Sequence, residues 1–248
     1  MSLRVVSVPE PVIGSLGALS TIGLGPVLLV GGWAVTGRLR MAGSATRPTE
    51  DLDVLMGTIA PSAAALRGIG VAQDDPAHPC RLVGLPLAID LLAVSPDEVV
   101  VPLHGDETVE GEDGIAALVP PFSALLVRSG ELVELESPQG QRVRARLPSA
   151  GALLANKVGN LAIEARLAKW PSDALDVGLL LTAFGALALA SDLELATFGE
   201  RQALAGLMNS IGSSGMAAQV GRQGRRTMPQ AEAAWDRLGQ LISVPQSI

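Results

Sequence analysis

Apolar positions fall into two regimes along the chain. Up to residue 148 they come in short runs separated by Gly, Pro and polar turns; from residue 149 they come in helix-length stretches. In the first regime, residues 11–20 predict a short helix, 26–30 a compact strand ending at Gly31-Gly32, and 33–39 a helix. Residues 43–50, polar and containing Pro48, predict a loop. Residues 51–56 alternate charged and apolar side chains, as a strand with one buried face does. The Ala-rich stretch 61–68 predicts a helix, and 85–94 is an apolar strand with Asp90 alone in its middle. Residues 95–121, acidic and rich in Pro and Gly, read as a connection. Two alternating runs, 131–136 and 141–147, flank Pro138-Gln139-Gly140 and predict a hairpin. Arg142, Arg144 and Arg146 then share one face of its second strand.

The second regime predicts helices over 149–168, 172–190, 196–211 and 229–242. Ser149 is the expected N-cap of the first. Pro171 is expected to break it, with Ser172 capping the next. Residues 212–226 form a Gly-rich loop carrying Arg222, Arg225 and Arg226. The expected architecture is α+β: a small mixed-sheet α/β domain over residues 1–148, followed by a helical domain over 149–248.

Composition narrows this picture. Apolar residues make up 48% of the 248, enough for a sizeable core, but there is no Tyr and only three Phe and three Trp. Ala, Leu, Val and Gly must therefore do the packing. The net charge of −7 argues against broad, non-specific nucleic-acid binding, which needs basic groups to neutralise phosphates, while leaving room for a local basic site. One cysteine excludes an intrachain disulfide and suits a reducing cytoplasm. One cysteine and two histidines are too few for a zinc centre. Two apolar stretches, 11–35 and 177–190, read as buried elements; the first is interrupted by Pro and Gly, and the second is shorter than the roughly 20 residues a membrane span requires. No membrane association is expected.

The chemistry lies in the acidic positions. Asp51 and Asp53, one residue apart on a predicted strand, project to the same face, with Leu52 and Val54 packing on the other. Asp90 in an apolar strand is costly unless paired or bound to metal. If the two strands are neighbours, three carboxylates meet, a donor set for Mg²⁺ or Mn²⁺. Gly31 and Gly32, between a strand and a helix, let backbone N–H groups approach phosphate oxygens. Each feature alone is commonplace: a tight turn, an exposed acidic turn, a strand-end carboxylate. Their order along the chain is far more specific.

The run Val30-Gly-Gly-Trp-Ala-Val35 followed by Asp51-Leu52-Asp53 resembles the signature of polymerase beta-like nucleotidyltransferases. More narrowly, Arg47-Pro-Thr-Glu-Asp-Leu-Asp53 resembles the AbiEii group, toxins of type IV toxin–antitoxin systems, and its MenT relatives. Leu153-Leu-Ala-Asn-Lys157, Arg166, Lys169, Asp173 and Asp176 resemble that group's helical motif, with two residues inserted between Lys169-Trp170 and Asp173 that put the part played by Asp173 in question. The resemblance spans roughly residues 27–182. It implies a nucleotidyltransferase domain in which Asp51, Asp53 and Asp90 hold metal and are catalytic together with Lys157 and Asp176. Gly31, Gly32, Arg47, Thr49, Lys157 and Arg166 would bind the nucleotide, ATP or another NTP. It further implies transfer of a nucleoside monophosphate to an acceptor such as the 3′ end of tRNA, restraint by a cognate antitoxin, and a cytoplasmic setting. A small-molecule acceptor, as aminoglycoside nucleotidyltransferases use, is the alternative within the superfamily; a non-catalytic nucleotide-binding module is the alternative outside it. For Lys157 and Asp176 the competing structural reading is a buried ion pair between two packed helices.

Overall fold

The protein is described by a computed structural model at residues 3–56, 62–73, 78–95, 100–101, 108–110, 115–221 and 229–243. Among these residues nine strands form one mixed sheet: β1 (Val5–Ser7), β2 (Leu28–Val30), β3 (Leu52–Met56), β4 (Arg81–Leu82), β5 (Ile89–Ala93), β6 (Thr108–Glu110), β7 (Ala116–Leu118), β8 (Glu131–Glu136) and β9 (Arg142–Leu147). Their order is β1-β8-β9-β2-β3-β5-β7-β6, with β4 paired to β5. The helices are α1 (Glu10–Thr21), α2 (Gly31–Met41), α3 (Ala63–Gly68), α4 (Ser123–Arg128), α5 (Ala150–Asn160), α6 (Trp170–Asp192), α7 (Phe198–Gly221) and α8 (Pro229–Ser243). A mixed sheet with its helices, followed from residue 150 by helices alone, is the α+β arrangement expected.

The central strands bring the acidic pattern into register. β2 runs antiparallel to β3, placing Val30 opposite Asp53; β3 runs parallel to β5, placing Asp53 opposite Asp90. β2 therefore ends where β3 and β5 begin, and α2 starts at that same end. Helix α2 touches the sheet as well as α5 and α6, so the strand ends, the α2 N-terminus and the first helices of the second half converge. Arg38 of α2, 7% exposed, anchors this corner: it donates to the carbonyls of Leu147 and Pro148 and to Glu131, leaving its buried charge satisfied.

The hairpin of β8 and β9 turns at residues 137–141, as the pattern predicts. Two of its three arginines are occupied structurally. Arg142 is held by Glu134 and Glu136 across the ladder, and Arg146 donates to the carbonyls of Val127 and Gly130, so these two are not free to form a basic stripe with the exposed Arg144. Ser149 caps α5, accepting from the Ala152 N–H at 3.2 Å.

Elsewhere tertiary demands override the pattern. Residues 95–121 are more than a connection: β6 and β7 extend the sheet at its edge, paired antiparallel to each other. The helix expected over 149–168 stops at Asn160 and resumes as a 3-10 segment over Glu164–Lys169. The backbone extends at Ile163 (φ −93°, ψ 110°), where Leu161 and Ile163 are both buried. Pro171 opens α6 rather than ending its predecessor, because the first helical turn leaves N–H groups unused anyway. Ser172 donates to the Lys169 carbonyl instead of capping. α6 is broken at Gly185 and α7 at Gly212, both at positive φ, and the helix beyond Gly212 occupies residues expected to be loop. Arg222, Arg225 and Arg226 lie outside the described residues. β1, β4 and α4 had no clear signal in the sequence.

By length and composition the run 166–195 is apolar enough to cross a membrane, yet half of its most apolar window is buried by protein, against α5, α7 and α8 among others. α5 and α6 approach closely at Gly151, where a Cβ would lie 2.7 Å from the Leu189 carbonyl oxygen and 2.7 Å from Asp192 Cβ. Gly151→Ala is expected to destabilise the fold by about 1–3 kcal/mol, since backbone must move to admit the methyl group; urea unfolding measures this.

Candidate active site

Asp53 and Asp90 are neighbours across the β3–β5 ladder. Leu52 and Val54, both fully buried, turn the opposite face of β3 into the core, as the alternation requires. The Asp53 carboxyl lies deep in the protein, although the residue as a whole keeps some exposure. Burial, together with the like charge of Asp90, pushes its pKa above the usual carboxylate value, against the opposing pull of Lys157, Lys169 and Arg166.

Gly31 and Gly32 are each required by a specific neighbour. Gly31 has φ +59°, and a Cβ there would overlap Asp53 Oδ2. A Cβ on Gly32 would lie 2.6 Å from Thr49 Oγ1 and 3.3 Å from an Arg47 amino nitrogen. The pair thus lets the Asp53 carboxylate and the loop bearing Arg47 and Thr49 both close onto the N-terminus of α2, where backbone N–H groups and the helix dipole favour an anion.

Behind this lies a buried ion network. Arg47 makes a two-pronged contact with Asp176, at 2.6 and 2.8 Å, and Asp176 has no solvent exposure. Lys157 Nζ lies 2.6 Å from Asp173 Oδ1 and 3.0 Å from Asp176 Oδ2. Burial works against the Lys157 ammonium, but Asp173 and Asp176 outweigh it and hold its pKa above the ordinary lysine value. The Lys157–Asp176 ion pair between two helices is therefore present, and Asp173 is a direct partner in it. The insertion before Asp173 has not removed it from the site.

Asp51 immediately precedes β3, outside the regular pleat, and its side chain is 44% exposed. Its Oδ2 lies 3.5 Å from Arg81. Among the described residues no three His, Cys, Asp or Glu side chains are grouped tightly enough to hold a metal ion. Of the three carboxylates expected together, Asp53 and Asp90 are adjacent and Asp51 stands at the entrance, joined to Asp90 through Arg81. As donors they suit a hard divalent cation: all are carboxylate oxygens, and the repulsion between Asp53 and Asp90 is what such an ion relieves.

Three clefts open around this pair. One of about 300 Å³ is lined by Gly32, Arg47, Thr49, Asp51, Asp53 and Lys157. A narrow one of about 60 Å³ reaches Gly31, Asp53, Asp90 and Asn160. A third, of about 460 Å³, lies along Arg81, Asp90 and Thr108. Arg166 and Lys169 line all three. A separate cleft of about 270 Å³, with Leu28, Met56 and Arg146 in its wall, lies at the opposite end of β2 and β3.

Sequence reasoning missed two residues here. Asn160 is buried, with its side-chain oxygen unpartnered in the narrow cleft; nothing in the sequence distinguished it from a helix C-terminal residue. Arg81 carried a signal: the lone Asp90 demanded a cation, and Arg81 lies nine residues upstream across a bend that carries Gly84 and Pro86.

No family model matches the chain, and no curated protein matches it. Among solved structures, the solution structure of the antibiotic-resistance factor ANT(2'')-Ia is similar, at 19% identity and a TM-score of 0.42, over 78% of this chain and 91% of that one. A superposition this loose does not assign a family.

Two outcomes follow from the electrostatics. An acid whose folded pKa is raised loses stability as pH climbs from its unfolded to its folded value. Asp53→Asn is therefore expected to melt above the wild type near pH 7.5, with the gap closing toward about pH 4; melting curves across pH, without divalent ions, test this. Lys157→Met strands Asp173 and Asp176 without a close ammonium and is expected to cost about 3–5 kcal/mol, read by urea unfolding.

Proposed function

We propose that this protein is a divalent-metal-dependent nucleotidyltransferase. The observation that carries the reading is the placement of Asp53 beside Asp90 in register, with the Gly31-Gly32 helix N-terminus against Asp53 and a cation-lined cleft alongside. Nucleotidyl transfer requires a triphosphate to be held while charge builds on the phosphorus-bound oxygens and the leaving pyrophosphate.

In this reading the triphosphate lies in the cleft of Gly32, Arg47, Thr49 and Lys157. The α2 N-terminus offers backbone N–H donors, and Arg166 and Lys169 supply further positive charge in the same cleft. Lys157, fully charged because Asp173 and Asp176 hold it so, acts as a fixed point charge whose position does not depend on substrate. Asp176 positions both Lys157 and Arg47 and, with both carboxylate oxygens engaged, is poorly placed to act as a base. Asp53 and Asp90, with Asp51 at the entrance, would hold the divalent cation, Mg²⁺ or Mn²⁺, which when bound offsets charge on the reacting phosphate and activates the attacking oxygen. Asp90 faces the larger cleft beside it, where the acceptor hydroxyl would enter.

For the acceptor we propose the 3′ end of tRNA, and for the chain a toxin's role under a protein antitoxin in the cytoplasm. The Arg47-Pro48-Thr49 approach to the acidic strand supports this, as does the positive lining of the acceptor-side cleft by Arg81, Arg166 and Lys169. That lining suits a phosphate-bearing acceptor despite the acidic whole.

The test is incubation with Mg²⁺, each labelled NTP in turn and total tRNA. Label is expected to enter RNA with the wild type, to stop with EDTA, and to fall by about a thousandfold or more in Asp53→Asn, as removal of several kcal/mol of transition-state stabilisation requires. Transfer to a small cationic acceptor but not to RNA would replace the acceptor and keep the reaction. Absence of both transfer and Mg²⁺-dependent NTP binding would sink the proposal.

A further inference from the structure

The acidic strands carry a cation of their own, held directly against Asp90. Arg81 lies on β4 directly across the antiparallel ladder from Asp90, so backbone pairing sets its side chain beside that carboxylate. Its Nε and one terminal nitrogen lie 2.7 and 2.9 Å from the two oxygens of Asp90, and the same terminal nitrogen lies 3.5 Å from Asp51 Oδ2. The Arg81 and Asp90 side chains are 17% and 11% exposed. This is the planar, two-pronged contact in which a guanidinium binds carboxylate most strongly.

Both oxygens of Asp90 thus accept from Arg81. A hard divalent cation held by Asp53 and Asp90 takes an oxygen that Arg81 already holds, and at such range the two positive charges repel in a poorly screened setting, so each weakens the other's hold on the carboxylate. Arg81 also lines the cleft of about 460 Å³ next to Asp90, which gives its head group somewhere to go.

We propose that Arg81 is a built-in competitor of the metal: Asp90 is exchanged between the guanidinium and the divalent cation, and the ion binds only as Arg81 lets go and turns into the adjoining cleft. Metal affinity is then set by the strength of an internal ion pair as well as by the carboxylates. The inference rests on the reading of Asp53 and Asp90 as metal-holding residues.

The experiment is Mn²⁺ binding by electron paramagnetic resonance, without nucleotide, on the wild type and on Arg81→Gln, Arg81→Lys, Asp90→Asn, Asp53→Asn and the Arg81→Gln, Asp90→Asn double variant, each checked for folding by circular dichroism. Arg81→Gln is expected to bind Mn²⁺ about tenfold tighter or more, the worth of a charge-assisted hydrogen-bonded contact. The gain is expected to vanish when Asp90 is already Asn. Arg81→Lys, which keeps one charge but loses the fork, should fall between, and it carries the comparison alone if Arg81→Gln does not fold. Weaker binding in the Arg81 variants would overturn the proposal, showing that Arg81 holds Asp90 ready for the ion. Equal binding in wild type and Arg81 variants, lost in Asp53→Asn, would overturn it while leaving the proposed reaction standing. No Mn²⁺ binding by any of the proteins would overturn both.

Discussion

Burying a lysine requires its charge to be met at close range, and in this protein that requirement ties the halves of the chain together. Lys157 comes from α5, its carboxylates Asp173 and Asp176 from α6, and the second cation on Asp176, Arg47, from the loop leading into β3. None of the four can be left without its partners, since an isolated buried charge costs several kcal/mol. The loop must therefore lie over α2, and α5 and α6 must stand where their side chains reach it. The clefts around Asp53 take their shape from that arrangement.

The same network explains why the site carries both signs of charge. Strand register packs Asp53 beside Asp90, and burial first, with that like charge added, raises the pKa of Asp53. Lys157, Arg166 and Lys169 line the same clefts as Asp53. Acidic and basic groups thus line the same clefts, the kind of charge pattern that a polyphosphate and a divalent cation would complete. Arg81 closes directly on Asp90 from the neighbouring strand.

The two glycines ahead of α2 show how one short motif answers several constraints. Gly31 takes a left-handed conformation and yields to the Asp53 carboxylate; Gly32 yields to Thr49. A side chain at either position would push the loop or the acid away from the helix N-terminus. The motif therefore reports on residues about twenty positions downstream as much as on its own turn.

Much of this was legible in the chain. The alternation at residues 51–56 placed Asp53 away from the core, the hairpin at 131–147 and the Ser149 cap were readable from local chemistry, and the isolation of Asp90 in an apolar run signalled that it needed a partner. Local periodicity and capping act over a few residues, so they leave a trace in the sequence. What only the tertiary structure decided is which charges meet. Strand register, a long-range property, set Asp53 beside Asp90 and Arg81 across from it. Helix packing chose Asp173 as well as Asp176 for Lys157. The helix broke after Asn160, and edge strands formed within 95–121 because the sheet offered them a partner. Ion pairs and sheet edges depend on distances between residues far apart in the chain, and no local pattern encodes those distances.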